Sequence, residues 1–101
     1  MSLMEILWSQ EALDYLMDIE DYIAGDDPER AASFVDEIID QVETLLPDNP
    51  RLGRMVPEVS RPEIREIIFR RYRIVYWIDS GRLTVLTVFP CQRQLRHRDV
   101  P

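Results

Sequence analysis

Residues 63–89 decide the fold: Glu63-Ile-Arg-Glu-Ile-Ile-Phe-Arg-Arg-Tyr72-Arg-Ile-Val-Tyr-Trp-Ile-Asp79-Ser-Gly81-Arg-Leu-Thr-Val-Leu-Thr-Val-Phe89. The apolar positions recur here with a period of two, the spacing at which side chains of an extended chain return to the same face. Three strands are predicted, over 63–70, 72–79 and 82–89. In the middle strand Tyr72, Ile74, Tyr76 and Ile78 share one face, and Arg73, Val75 and Trp77 share the other. Ser80-Gly81 is a two-residue hairpin turn, and Pro90 closes the third strand.

Upstream of this block the period is helical. Residues 4–8 form a short apolar run suited to a strand. Ser9 stands where a helix N-cap belongs, with Glu11 in the first turn. Ala12, Leu16, Ile19 and Ile23 then recur at helical spacing, flanked by Tyr15 and Tyr22, with Asp14, Asp18 and Asp21 opposite. Gly25 is placed to end this helix as its C′ residue. Asp27 caps a second helix and Pro28 fits its first position. Ala31, Phe34, Val35, Ile38, Val42 and Leu45 line one of its faces, and Pro47-Asp-Asn-Pro50 stops it. Helices over 9–25 and 27–46, so briefly joined, form an antiparallel hairpin. Four prolines between 47 and 62 make the following connector stiff.

The element order is strand, helix, helix, strand, strand, strand. That order implies an α+β domain of two layers, with the helical hairpin on a mostly antiparallel sheet. One sheet face takes the apolar stripes of the helices. No element remains to cover the other, which carries Val75 and Trp77 among arginines, so that face is a candidate binding surface. The domain is expected over 4–90. Met1-Ser2-Leu3, ahead of Met4, read as a leader and carry no weight. Residues 91–101 read as a polar, arginine-rich tail that need not be ordered.

With 101 residues there is room for one domain. One cysteine, Cys91, and one histidine, His97, leave no Cys or His metal cluster, and three glycines leave no phosphate-cradling loop, so neither a metal nor a cofactor is expected. No apolar run approaches the ~20 residues that span a bilayer and no secretory signal is visible, so the expected location is cytoplasmic. The net charge of −7 is unevenly divided. Residues 1–50 hold fourteen acids and one base, a balance of −13; residues 51–101 hold five acids and eleven arginines, a balance of +6. There is no lysine. An acidic half that attracts a basic half explains this division, and so does a basic surface on the second half for an acidic partner.

Four stretches together resemble toxins of the RelE/ParE superfamily of type II toxin–antitoxin modules. They are Trp8-Ser9-Gln10-Glu11-Ala12; Ile19 to Ala24 with Pro28, Ala31 and Ala32; Pro50-Arg51-Leu52-Gly53-Arg54; and Arg65-Glu66 with Tyr72-Arg73-Ile74-Val75-Tyr76. Tyr22-Ile23-Ala24-x-Asp26 resembles the ParE-like branch, which includes plasmid stabilisation proteins. Phe89-Pro90-Cys91-Gln92-Arg93 departs from the His-x-x-Arg end of many ParE-like chains. The resemblance implies a toxin that inhibits DNA gyrase, is neutralised by a cognate antitoxin, and forms a homodimer or a heterotetramer with it. RelE-like members instead cut mRNA on the ribosome, and a decayed toxin would only bind its antitoxin.

Chemistry weighs between these readings. Cleavage through the RNA 2′-oxygen needs a base, an acid and cations around the developing phosphorane. Arginine serves only the last of these. If the chain is a nuclease, Tyr72, Arg73, Arg65 and His97 are its candidates, with Glu63 and Glu66 as carboxylates. Tyr72 and Tyr76 alternate with isoleucines and read as packing residues, Glu66 as an arginine's partner, and Cys91 as an ordinary thiol. For partner binding the candidates are Arg65, Arg71, Arg73, Trp77, Arg93 and Arg96. Arg65 and Arg73 rest on the family motif and the others on charge and position. Arg73 has a second reading, as a structural arginine paired with the acidic helices.

Overall fold

The computed structural model describes residues 3–101; Met1 and Ser2 of the expected leader, and the side chain of His97, lie outside the described residues. Strand β1 (Glu5–Trp8) leads into helices α1 (Gln10–Ala24) and α2 (Pro28–Leu45). A two-residue strand β2 (Arg54–Met55) and the strands β3 (Ile64–Phe69), β4 (Tyr72–Asp79) and β5 (Arg82–Pro90) follow. The sheet order is β1-β5-β4-β3-β2. All pairs are antiparallel except β1 with β5. The α+β architecture read from the sequence is the observed one.

Local chemistry sets the helix starts. The Ser9 hydroxyl accepts from the Ala12 N–H at 3.0 Å and donates to the Leu86 carbonyl at 2.8 Å, so the cap of α1 is also a tie to β5. The Asp27 carboxylate accepts from the Arg30 N–H at 3.1 Å, with Pro28 in the first turn of α2. Gly25 behaves differently from expectation. It is the C-cap of α1 with φ of −58°, and the helix passes to Asp27 without a left-handed residue. At the β4–β5 turn, Ser80 and Gly81 both have positive φ, at 49° and 84°, as a type I′ hairpin requires.

The helical layer and one sheet face enclose the main core. Ala12, Leu16 and Ile19 of α1 and Phe34, Ile38 and Val42 of α2 pack on Ile74, Tyr76, Leu83, Val85 and Val88. Strand β5 can supply both Val85 and Val88 to this face because of a bulge. Val75 pairs with Thr87 and Tyr76 with Val85, which leaves Leu86 unmatched and shifts the alternation by one residue.

The opposite face is covered, contrary to the expectation that it stands open. Val75 is fully buried there in a second cluster with Val56, Ile64, Phe89 and Leu95, and Trp77 packs against its margin. The cover comes from the connector, through Val56 and Val59, and from the tail, through Leu95 and Val100. The tail packs back onto the sheet: Leu95 and Asp99 are buried, and a short 3-10 turn spans His97–Asp99.

Candidate functional site

The arginines singled out in the sequence fall into separate environments. Arg73 is the most enclosed, at 6% exposed. Strand β4 places it beside Glu66 of β3, whose side chain is buried, and its Nε donates to that carboxylate at 2.6 Å. Its two terminal nitrogens donate to the two oxygens of Glu58 at 2.7 Å each, and Nη1 also reaches the Arg93 carbonyl at 3.2 Å. The guanidinium lies 5.1 Å from the Phe89 ring centroid. Arg54 donates to the other oxygen of Glu66 at 2.6 Å, and Glu58 accepts the Leu95 N–H at 2.8 Å. Arg73 thus joins β3, the connector and the tail. Its hydrogen bonds to Glu58 and Glu66 raise its pKa against the cost of burial. The same pairing holds the Glu58 carboxyl at about 2. Arg73 is therefore held by ion pairs within the chain, and its partners are Glu58 and Glu66 and not the acidic helices.

Arg65 sits on the other side of the sheet, opposite Tyr76 in the β3–β4 register. Its Nε donates to the Pro62 carbonyl and its Nη1 to the Gly53 carbonyl, both at 2.9 Å. The Tyr76 hydroxyl donates to the Pro50 carbonyl at 2.7 Å and accepts the Gly53 N–H at 3.0 Å. Arg65 and Tyr76 together pin the proline-rich connector. The 65–66 and 72–76 stretches that suggested the family therefore hold the fold together.

Arg93 lies between the Tyr15 and Phe89 rings, 5.1 and 5.0 Å from their centroids, and its Nη1 donates to the Tyr15 hydroxyl at 2.7 Å. Its Nη2 is buried without a hydrogen-bond acceptor, since Asp99 stands 3.9 Å away. Next to it α1 and the adjoining ends of β4 and β5 form a cleft of about 450 Å³, lined by Tyr15, Asp18, Tyr22, Arg71, Tyr72 and Gln92 among others. Arg71 is exposed at its rim, and no carboxylate among the described residues pairs with it. Tyr22 is 82% exposed. The Tyr72 hydroxyl has its pKa raised, first by burial and then by Tyr22. Arg96 is exposed, 3.7 Å from Asp99. Cys91 is an exposed free thiol.

The structure therefore brings Arg71 and Arg93 together around a tyrosine cleft and separates both from Arg65. Trp77, half-buried at the second cluster, is separate again. Sequence reading missed Glu58 and the cleft. Glu58 lies in an aperiodic connector where no pattern marks a partner for Arg73. The cleft did leave a trace, in Tyr15 and Tyr22 flanking the apolar stripe of α1. Of the acid–base candidates, Tyr76 is occupied by two backbone groups, and burial raises its pKa as it does that of Tyr72.

No helix of the described residues is long and apolar enough to cross a membrane. The sequence model of the family described as "ParE toxin of type II toxin-antitoxin system, parDE" matches residues 6–95. A solved structure described as "Chromosomal ParDE TA system from P. aeruginosa" shares the fold with a TM-score of 0.72 at 22% identity, covering 87% of this chain and 96% of that one. No curated protein sequence matches significantly.

Proposed function

The chain belongs to the ParE toxin family of type II toxin–antitoxin systems, and from that premise we propose that it acts by inhibiting DNA gyrase and is silenced by a cognate antitoxin. The observation that weighs against mRNA cleavage, and so supports gyrase, is the state of Arg73, Arg65, Tyr72 and Tyr76; the His97 side chain lies outside the described residues. Arg73 is locked between two carboxylates, and Arg65 is spent on two backbone carbonyls. The phenols of Tyr72 and Tyr76 are made weaker acids by burial. None of them is poised to take the proton of a 2′-hydroxyl near neutral pH. The site of action on this reading is the cytoplasm, where gyrase works.

The antitoxin surface that fits best is the cleft edge. Arg71 is a free, always-charged donor there, next to the Tyr22 and Tyr72 rings. An acidic segment with an apolar anchor suits that combination. The assembly with antitoxin is a heterotetramer on this reading.

The test is a pair of assays on purified chain. Inhibition of gyrase supercoiling with intact mRNA in a translating extract is the expected result. Site-specific mRNA cleavage on the ribosome, abolished by Tyr72→Phe or His97→Ala, would overturn it in favour of the nuclease. Loss of both activities with antitoxin binding retained would mark a decayed toxin.

A further inference from the structure

The helical hairpin has a second concavity, on the flank of α1 away from the tyrosine cleft. Leu13 and Met17 of α1 and Val35 and Ile39 of α2 line a groove of about 330 Å³. Leu13 is 40% and Met17 63% exposed. The main core is complete without Leu13 and Met17, so burial inside this chain does not account for them.

The charge around the groove is of one sign. Glu20 lines it. At 100° per residue, Asp14 and Asp21 flank the Leu13–Met17 stripe on α1, and Asp36 and Glu43 flank Val35 and Ile39 on α2. Among the described residues, Glu20, Asp21, Asp36 and Glu43 take part in no ion pair. Helix α1 carries no base. The single base of α2, Arg30, is paired with Glu37. An apolar floor ringed by unneutralised carboxylates repels a second acidic surface and attracts a basic one. Its floor, formed by a pair of antiparallel helices, suits the anchors of a third helix at i, i+3 or i+4, and i+7.

We propose that this groove docks a basic amphipathic helix of a protein partner, with aliphatic anchors against Leu13, Met17, Val35 and Ile39 and lysines or arginines against the flanking carboxylates. The partner contact at the arginine-bearing cleft takes the opposite charge, so the molecule presents two docking surfaces of complementary preference. This inference is independent of the gyrase reading.

The probe is a fluorescein-labelled helical peptide with leucines at i, i+3, i+4 and i+7 and lysines on both flanks. A second peptide of the same length carries glutamates on the flanks. Binding to the full chain is read by fluorescence anisotropy. The lysine peptide is expected to bind and the glutamate peptide to bind at least tenfold more weakly. Leu13→Ala with Met17→Ala, and separately Asp36→Asn with Glu43→Gln, are each expected to weaken the lysine peptide about tenfold. Asp79→Asn, at the distant β-turn, is expected to change it less than twofold. Equal binding of the two peptides, or unchanged binding by the Leu13/Met17 double variant, would overturn the proposal. So would a dimer in sedimentation that Met17→Lys converts to monomer, since the groove would then belong to a second copy.

Discussion

Arg73 exemplifies how a motif residue can be taken up by contacts within its own chain. It has two carboxylates, a carbonyl and a ring around it, in a setting that leaves little of it exposed. Removing it strands Glu66 in the sheet with only Arg54 and frees Glu58 from its bidentate contact. Arg73→Ala is expected to cost about 3–5 kcal/mol, the typical penalty for breaking a buried pair. Arg73→Lys should recover little, because one ammonium cannot reproduce the planar fork that Glu58 and Glu66 share. Urea unfolding of both variants checks this, and a stability near wild type for Arg73→Lys would refute it. Glu58 gives the network a pH signature. Its ordinary value of 4.5 falls to about 2 in the folded chain, so protons bind the unfolded state more readily. Its contribution is complete above about pH 4.5 and is lost as the pH falls towards 2. Glu58→Gln should therefore lower stability at neutral pH and flatten the loss between pH 4.5 and 2, as measured by unfolding at several pH values. Trp77 belongs to this scale too. Arg71→Ala is expected to weaken antitoxin binding more than Trp77→Ala, because Arg71 lines the cleft while Trp77 is half-buried at the second cluster on the other sheet face. Affinities of both variants, measured beside their unfolding curves, separate lost contact from lost packing at the second cluster.

Among the elements, the regular ones were legible and the irregular ones were not. Alternation over 63–89 and the apolar stripes of the hairpin announce packing that repeats, and repetition shows in a sequence. Ile38 is fully buried where its stripe predicts, and Ile38→Ala should cost about 2–5 kcal/mol in the same unfolding measurement. The cover of the second sheet face is made instead of single apolar residues, Val56 among prolines and Leu95 among arginines. Each has no periodic neighbours, so nothing local distinguishes a buried one from an exposed one. The bulge at Leu86 was hidden for a related reason, because a run of apolar residues tolerates a one-step shift without changing its appearance. Of the candidate site, the arginines were legible as residues, but their grouping was not: ion-pair partners fifteen residues apart, as with Glu58 and Arg73, are set by the tertiary fold. The connector makes one more testable point. A Cβ on Gly53 would stand 2.4 Å from the Glu66 carbonyl oxygen and 2.6 Å from the Tyr76 hydroxyl. Gly53→Ala is expected to destabilise by about 1–3 kcal/mol through displacement of the loop, visible as lost protection of its amides in hydrogen exchange.

At the scale of the whole molecule, the unequal halves recur as unequal surfaces. Among the described residues, ion pairs between them are few: Arg70 with Glu37 and Arg82 with Glu5, both exposed. Most of the acidic charge of the hairpin thus faces solvent and remains available to steer partners. Raising ionic strength should slow association of an acidic antitoxin segment at the cleft while leaving its dissociation nearly unchanged, because screening acts over a Debye length of about 8 Å at physiological salt. Stopped-flow mixing at two salt concentrations reads both rates. The parallel pairing of β1 with β5 bears on the order in which the molecule can be made. Ser9 and Leu86, which tie these strands together, are separated by 77 positions. On a ribosome, β1 must therefore wait for β5 to emerge before its edge of the sheet can close. Through that interval the apolar sides of both helices lack their β-sheet lining. Loop closure on this length makes the last step slow relative to formation of the β4–β5 hairpin. A nascent chain is thus incompletely folded until β5 has been made, and that delay is a window in which a chaperone or a newly made antitoxin meets it before it is folded.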